Sequence, residues 1–477
     1  MINSQEVFSQ STRIYKIKYK GFVYLLNPYT YKGLCGLLAK EMRLFSAIDG
    51  RKPFRWYVIH NKLYGFDTNE IAALFKLFIK HNLLVSANRN LPAHPVKVQE
   101  ENSELRLWVQ LTNQCNFRCT YCYVNKSSGK MSENTANLFF KKLILINKKY
   151  RYKKIILNLH GGEPLLNFTL IKTFVKKAKK LSSKDCLIRI FIVTNGSLLT
   201  EEKALYLKKE NIGIGISLDG YGKYNDITRK LPNGGNTYNL INKGLIIAKK
   251  YHILSHVLIT VTNKNIVHLK KLIVYLLERG IYFSFSFYNK ANQFCYEESV
   301  YHSEQFVNSY KSILRTIYNY YQKYKLSESP LKDSALLDGV DFGSSEALPY
   351  HCFAGIRYFT LSVDGKIKTC PMSLIDTSSI YDRDFIKETQ NKEYDFHRKS
   401  SVENMSSCDV CPWKYMCRGR CRLERLFVNK DVTKPMVGKC LIMKELIPYM
   451  LDLETQRLTN IFFSKIGKSK NRSVNKK

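Results

Sequence analysis

The feature that most constrains the fold of this chain is a series of six short apolar segments between residues 105 and 290. They read LRLWVQLT, KIILNLH, LIRIFIVT, IGIGISL, SHVLITVT and IYFSFSFY, and longer Lys-rich amphipathic segments separate them. Short apolar runs that alternate with amphipathic helices predict parallel strands joined by right-handed crossovers. The sequence therefore predicts an α/β fold, with a partial (β/α)6 TIM-like barrel over residues 105–345.

Other regions flank the predicted barrel on both sides. Residues 1–95 read as strands followed by helices and an apolar extension, which is compatible with a winged-helix-like domain. Within them RIYKIKYKGFVYLLNP predicts two strands around a Gly turn, and Asp67 or Thr68 is expected to cap a helix. The Pro, Asn and charged residues of 88–104 indicate a linker. Residues 346–450 are Cys-rich, and 451–477 are predicted to form a basic tail with a disordered end.

The net charge of +37 admits two interpretations. It reflects a Lys-rich composition spread along the whole chain, or it suits an acidic partner, either an acidic peptide or nucleic acid. The sequence has no charge-free apolar run of 18 residues, and its N-terminus lacks an apolar signal region. We therefore expect a cytoplasmic protein without a membrane span, whose thirteen cysteines are reduced thiols.

Three of these cysteines, Cys115, Cys119 and Cys122, follow the first predicted strand in a C-x3-C-x2-C motif. Clustered cysteines in a reducing compartment indicate metal or iron–sulfur ligation. A structural zinc site needs a fourth ligand, for which His160 is available. Alternatively, three thiolates hold three irons of a 4Fe–4S cluster and leave the fourth iron open to an exogenous ligand.

Three further strands of the predicted barrel also end in polar motifs. HGGEPLL follows the second strand, TNGSLLT the third and SLDG the fourth. The carboxyl ends of the strands form the active-site face of parallel β/α folds, so these motifs should converge in space. Together with the C-x3-C-x2-C loop, and in this order, they resemble the radical S-adenosylmethionine (SAM) superfamily.

This resemblance implies a reaction type and a set of cofactor contacts. The open iron would bind the amino and carboxylate groups of SAM, and reductive cleavage would give methionine and a 5′-deoxyadenosyl radical that removes hydrogen from the substrate. The SAM contacts implied by the resemblance are Tyr121, Gly161, Gly162, Glu163, Ser217 and Arg229. In this assignment the two glycines allow close backbone approach. Plainer interpretations are a helix-capping role for Glu163 and a surface ion pair for Arg229.

Seven more cysteines lie between residues 352 and 440 and resemble the SPASM domain, which holds two auxiliary 4Fe–4S clusters. The alternative is a module with two zinc ions. By the resemblance, the outer cluster is held by Cys408, Cys411, Cys417 and Cys440, and the inner cluster by Cys352, Cys370 and Cys421. Between the first two inner ligands, VDGKI is a hairpin signal.

The inner set has no fourth cysteine, because SSEALPYH just before Cys352 supplies none. His351 and Cys295 are remote candidates for that ligand. We hypothesise an open iron that binds a substrate thiolate. The remaining cysteines, including Cys35 and Cys186, are expected to be buried apolar residues.

Enzymes of this type are mainly peptide maturases and sulfatase maturases. Residues 1–95 resemble the domain that captures a leader peptide by strand addition. Sulfatase maturases carry an Asp after the second SPASM cysteine, whereas Pro371 follows Cys370 here. The resemblance therefore favours a maturase that crosslinks a precursor peptide, by a thioether first and a carbon–carbon bond next. Its electrons would come from a flavodoxin or ferredoxin type of reductant.

Two alternative functions remain at this point. The first is an anaerobic sulfatase-maturing enzyme that forms formylglycine. The second is a basic zinc protein with a winged helix that binds nucleic acid, which leaves the GGEP, TNG and SLDG motifs without a role.

Overall fold

The computed structural model describes residues 2–11, 14–29, 32–86, 104–295, 297–324, 336 and 349–474, the last eleven of these by backbone alone. The predicted linker over 88–104 lies outside these ranges except for its last residue. None of the helices in the described ranges has the length and apolar character required to cross a membrane.

The N-terminal region contains two three-stranded antiparallel sheets and three helices. Its elements are β1 (Val7–Gln10), β2 (Tyr15–Tyr19), β3 (Phe22–Leu26), β4 (Cys35–Leu37), α1 (Ala39–Ala47), β5 (Asp49–Pro53), α2 (Phe54–Ile59), α3 (Thr68–Lys80) and β6 (Leu84–Ser86). The strand orders are β5-β1-β6 and β2-β3-β4. The predicted β2–β3 hairpin is confirmed, with Lys20 and Gly21 in the left-handed region that tight hairpin turns require. Asp67 caps α3, as predicted.

The six predicted strands lie side by side in chain order and parallel. They are β7 (Glu104–Gln110), β8 (Lys154–His160), β9 (Leu187–Thr194), β10 (Gly213–Ser217), β11 (Leu254–Val261) and β12 (Phe283–Phe287). The helices that connect and follow them are α4 (Glu133–Tyr150), α5 (Phe168–Leu181), α6 (Glu201–Lys209), α7 (Tyr238–Lys250), α8 (Leu269–Glu278) and α9 (Glu304–Lys323). The partial barrel is therefore confirmed.

The free edge of β7 is not closed by β12. It pairs in parallel with β13 (Tyr358–Leu361), and β14 (Lys366–Lys368) and β15 (Ser378–Ser379) extend the same sheet in antiparallel fashion. The predicted turn between Cys352 and Cys370 is the β13–β14 hairpin, with Gly365 at a φ of 86°. The Cys-rich region thus continues the barrel sheet.

The alternation of residues along β7 and β8 decides which side chains face the site. Leu105, Leu107 and Val109 of β7 are buried and belong to the same apolar core as the helices around the barrel. Because successive side chains of a strand point to opposite faces, Trp108 of β7 and His160 of β8 share the inner face.

The C-terminal region contains α10 (Phe385–Lys399), α11 (Lys414–Cys417), α12 (Arg422–Asn429) and α13 (Val437–Val474). The prediction of a disordered tail is wrong as far as Val474, because α13 continues to that residue. Apolar side chains in its first half, such as Leu446 and Met450, are buried, and α13 packs along α9. The packing of this first half stabilises the helix. The Lys-rich sequence at its end has no apolar periodicity that could have predicted it.

The N-terminal region docks on the C-terminal region through its β2–β3 hairpin. The hydroxyls of Tyr24 and Thr459 share a buried hydrogen bond of 2.7 Å. The ring of Tyr15 packs edge-on against Trp413, with centroids 4.8 Å apart. The two ends of the chain are therefore in direct contact.

Candidate active site

The loop that carries the first three cysteines is held by backbone hydrogen bonds from two neighbouring loops. Arg118 and Thr120 donate their amides to the carbonyls of Lys230 and Thr228, at 2.7 and 2.9 Å. On the other side, the amide of Glu163 donates to a carbonyl of the cysteine loop at 2.8 Å. The loop is therefore positioned by the segments that follow β8 and β10.

Gly161 and Gly162 lie directly against the backbone of this loop. A Cβ atom on Gly161 would lie 2.5 Å from the carbonyl oxygen of Thr112, and one on Gly162 would lie 2.1 Å from that of Gln114. The close approach that requires glycine is thus between the two loops. Glycine is therefore required here by loop packing and not by the expected approach of SAM. The contact of SAM with these glycines stays a prediction.

The strand-end motifs converge on a cavity of about 150 Å³, here called the barrel cavity. Eight of the nine residues predicted at the first site line it, and they are Cys115, Cys119, Cys122, Tyr121, Gly161, Gly162, Ser217 and Arg229. His160, Thr194 and Asn195 line it as well. The convergence of motifs that are far apart in sequence places the three thiols of one loop beside polar residues from other strand ends.

Glu163, the ninth predicted residue, is completely buried and lies outside that lining. Its carboxylate accepts hydrogen bonds from the amide of Leu165 at 3.0 Å, the hydroxyl of Thr194 at 2.6 Å and the amide of Asn195 at 2.8 Å. Burial raises the pKa of this carboxyl group. Glu163 therefore caps the short helix after β8 and links it to the end of β9, and its contact with SAM stays a prediction.

Asp219 of the SLDG motif is the hub of the opposite wall, and the sequence analysis did not single it out. Its carboxylate accepts hydrogen bonds from the hydroxyl of Tyr121 at 2.5 Å, Nε of Arg229 at 2.8 Å and the amide of Thr260 at 2.8 Å. Both members of the ion pair are buried, so the surface interpretation of Arg229 is wrong. An acidic residue at a strand end was the signal that could have identified Asp219.

Burial and a nearby cation have opposite effects on the thiols of the cavity. Burial raises the pKa of Cys115 to about 11 and that of Cys119 to about 12. Arg229 opposes this shift at Cys119, since its Nη1 lies 3.9 Å from the sulfur. Three thiols, a buried cation and an adjoining cavity fit an iron–sulfur cluster with space for a further ligand. Within the described ranges, no group of His, Cys, Asp or Glu is arranged to hold a single metal ion.

The four cysteines predicted for the outer auxiliary cluster line one small cavity of about 20 Å³, here called the outer thiol cavity. Its thiol lining is Cys408, Cys411, Cys417 and Cys440. Trp413, Met436 and Met443 enclose the same space. Four thiols in one small cavity, with Lys414, Arg420 and Lys444 also in its lining, fit a fully ligated cluster.

The three cysteines predicted for the inner cluster also interact with one another. Burial raises the pKa of Cys370 to about 12, and Cys421 and Cys352 add to this shift. Burial raises the pKa of Cys421 to about 11, and Glu424 and Cys352 add to it. His351 has an Nδ1 atom without a hydrogen-bond partner in the described part of the chain. Cys295 is buried and contacts Asn292 at 3.6 Å. The fourth ligand stays open, and most of SSEALPYH lies outside the described residues.

Asn292 joins the first cysteine loop to the inner set. Its amide nitrogen donates to the carbonyl of Tyr123, one residue after Cys122, at 3.4 Å, and to that of Met372, two residues after Cys370, at 2.8 Å. The side chain is 2% exposed. The buried side-chain amide of Asn292 therefore links the first cysteine loop to the segment that carries Cys370.

Comparisons with known proteins agree with this arrangement. Residues 109–276 match the family model described as Radical SAM superfamily. The chain is 36% identical over 176 residues to an uncharacterized protein, MJ0907, of Methanocaldococcus jannaschii, a match that covers 37% of this chain and 59% of that protein. It is 24% identical over 325 residues to a cysteine-type anaerobic sulfatase-maturating enzyme of Clostridium perfringens, covering 65% of this chain and 86% of the relative.

Two solved structures share the fold. Native anSMEcpe with bound AdoMet and Cp18Cys peptide superposes with a TM-score of 0.59 at 22% identity, covering 75% of this chain and 98% of that one. Streptococcus suis SuiB bound to precursor peptide SuiA gives a TM-score of 0.52 at 16% identity, covering 91% and 100%. With the family match and the convergent thiol loop, these findings show that the chain is an enzyme with a radical SAM domain over residues 109–276, and the assignment of its C-terminal cysteines to a SPASM domain stays a prediction.

Proposed function

We propose that this enzyme is a peptide maturase that removes hydrogen from a ribosomally made precursor peptide and forms a crosslink in it. A thioether is favoured, and a carbon–carbon bond is the next choice. The observation that carries the proposal is the N-terminal region of two sheets and three helices, which precedes the barrel and docks on the C-terminal region.

The extent of the two structural superpositions supports this choice. The superposition with the sulfatase-maturase structure covers 75% of this chain, whereas that with SuiB, whose structure holds a precursor peptide, covers 91%. Both N-terminal sheets have edge strands, and strand addition at a sheet edge is one way in which proteins bind a peptide. A net charge of +37 would steer an acidic leader peptide toward the enzyme.

The residues of the barrel cavity take the roles that their positions allow. Cys115, Cys119 and Cys122 would hold the 4Fe–4S cluster, and Arg229, held by Asp219, would bind the carboxylate of SAM. When bound, SAM and this cluster supply the radical that removes hydrogen from carbon. Tyr121 and Ser217 would form the wall against which the adenosyl group lies.

The C-terminal cysteines would account for the electron that thioether formation releases. A thioether forms when carbon loses a hydrogen atom, the thiol loses a proton, and one further electron leaves. Two auxiliary clusters, on the inner and outer sets of cysteines, would be the acceptors of that electron, and Asn292 connects the inner set to the site of reaction.

A sulfatase-maturing, formylglycine-forming activity is the second candidate, because the relative from Clostridium perfringens is aligned over 86% of its length. The residue that follows Cys370 argues against it. That residue is Pro371, which lines a cavity next to the barrel and has no proton-accepting side chain. The resemblance assigns an Asp to this position in sulfatase maturases.

One anaerobic experiment distinguishes the two activities. The reconstituted enzyme is incubated with SAM, dithionite and short Cys-containing precursors encoded beside its gene, each synthesised with and without its leader. Loss of two hydrogens with the Cys protected from alkylation, and only with the leader, is expected. Loss of two hydrogens with the Cys still free to alkylate identifies a carbon–carbon bond. Replacement of the sulfur by oxygen together with the loss of two hydrogens, regardless of the leader, identifies formylglycine and contradicts the proposal.

A further inference from the structure

His160 has no assigned role in the radical SAM site, although it lies in the middle of it. It is the last residue of β8, is 4% exposed, and lines the barrel cavity together with the three cysteines. Its backbone carbonyl accepts the amide of Leu111 at 2.8 Å, and its ring meets Trp108 edge-on with centroids 5.5 Å apart. These contacts fix the orientation of the imidazole.

Neither ring nitrogen of His160 has a hydrogen-bond partner among the described residues. Burial lowers the pKa of the ring to about 3, so the imidazole is neutral, with one N–H donor and one acceptor nitrogen. Buried polar groups in proteins are almost always paired. A side chain with both functions unpaired at the wall of a cavity is suited to a ligand that offers an acceptor and a donor.

The position of His160 indicates which ligand this is. Its register neighbour on β7, Gln110, lines a second cavity of about 270 Å³, here called the side cavity. Tyr123 and Val124 line both cavities, so the two spaces adjoin. The side cavity has mostly polar walls, which include Lys368 and Ser362. The Ser362 hydroxyl also has no hydrogen-bond partner within the described part of the chain. His160 therefore stands where the barrel cavity borders a polar space large enough for part of a peptide.

We propose that His160 is a substrate-binding residue, which hydrogen-bonds a backbone amide group of the peptide next to the carbon that loses hydrogen. A peptide group presents one C=O acceptor and one N–H donor, which complement the two ring nitrogens. The contact holds the reacting residue at the border of the two cavities. This inference rests on the proposed peptide-maturase function, and it adds the residue that orients the substrate.

The test compares His160→Phe, His160→Gln and wild-type holoenzyme. The matched control is His252→Gln, an exposed His in the loop between α7 and β11. The probe is the precursor peptide that the wild-type enzyme modifies in the preceding experiment. SAM affinity, cluster absorbance and peptide-independent SAM cleavage are expected to stay within about twofold of wild type. Peptide modification should fall about tenfold or more in His160→Phe, with a raised KM, and should recover partly in His160→Gln, which keeps a donor and an acceptor.

Three outcomes overturn the inference. A parallel loss of SAM affinity or of peptide-independent SAM cleavage assigns His160 to SAM instead. Unchanged peptide KM and rate in both variants show that the ring has no ligand. If the wild-type enzyme modifies no precursor, the peptide-maturase function fails and this inference fails with it, whereas either of the first two outcomes leaves that function intact.

Discussion

Cysteine side chains line both the barrel cavity and the outer thiol cavity, but the two cavities suit different functions. The first has a volume of about 150 Å³ and combines three thiols with polar residues from the strand ends. The second has a volume of about 20 Å³ and closes four thiols behind Trp413 and two methionines. Thiol chemistry is common to both, so the difference lies in the space beside the sulfur atoms. The larger barrel cavity has space for another molecule, which suits a reaction. The smaller outer thiol cavity does not, which suits a buried electron carrier.

The two cavities also differ in how they are built. Cys115, Cys119 and Cys122 come from one loop, which neighbouring strand-end loops hold by backbone hydrogen bonds. The outer cysteines come from separate elements, with Cys417 at the end of α11 and Cys440 in α13. The first cavity therefore depends on the barrel, and the second depends on tertiary packing of the C-terminal helices.

The sharpest test of this comparison removes one thiol from each cavity. Cys119→Ala is expected to reduce SAM cleavage by ~10³-fold or more, since the reaction needs this cluster. Cys417→Ala should lose iron but keep peptide-independent SAM cleavage within about tenfold. Product 5′-deoxyadenosine and iron content are the measurements, with Cys186→Ala as the control for a buried thiol outside both cavities. Equal loss of cleavage in the two variants would show that the cavities are not functionally separate.

The next largest effect concerns the wall of the barrel cavity. Asp219→Leu leaves the buried Arg229 without its carboxylate, and we expect it to lower the free energy of unfolding by about 3–5 kcal/mol. Denaturant unfolding of the cluster-free chain measures this. The control is Asp384→Asn, whose partner Lys149 is half-exposed, with an expected cost of at most about 1 kcal/mol. A small effect of Asp219→Leu would mean that the wall is not organised by this ion pair.

A smaller effect is expected from the contact between loops. Gly162→Ala would place a methyl group 2.1 Å from a backbone oxygen of the cysteine loop, at a cost of about 1–3 kcal/mol. The first site should then lose iron while the outer set keeps it, as followed by iron content and spectroscopy of each cluster. In the control, Gly213→Ala, the nearest atoms lie 3.7 Å away. Iron loss from both sites would contradict local assembly of the first.

The smallest effect is expected at the link between the first loop and the inner set. Asn292→Ala removes the two hydrogen bonds that the amide nitrogen donates, together with those that its oxygen accepts from Phe294 and Cys295, and should lower the free energy of unfolding by about 1 kcal/mol. Peptide modification should fall more than peptide-independent SAM cleavage. The relative position of the first cysteine loop and the inner set of cysteines matters only to the complete reaction. The exposed amide variant Asn308→Ala is the control. Equal changes in both reactions would remove Asn292 from this role.

Much of the fold and site follows from local sequence patterns. Apolar runs predicted all six barrel strands, and the family resemblance carried by the cysteine and strand-end motifs named eight residues that line the barrel cavity. Long-range partners could not be predicted in the same way. The donors to Asp219 include Tyr121, Arg229 and Thr260, which come from separate segments of the chain, and the pairing of β13 with β7 joins residues that are far apart in the chain. Such contacts leave no periodic signal in either segment.

The contact between the two ends of the chain has a consequence for biosynthesis. Tyr24 and Thr459 are separated by 435 residues, which a ribosome adding about 5–20 residues per second needs roughly 20 to 90 s to make. During this interval the apolar face of the β2–β3 hairpin has no α13 to cover it. The side of the hairpin that contacts α13 is thus covered only after that helix has been made. Cys440 lies in the same helix, so the outer thiol cavity also receives its fourth cysteine only after α13 has been made.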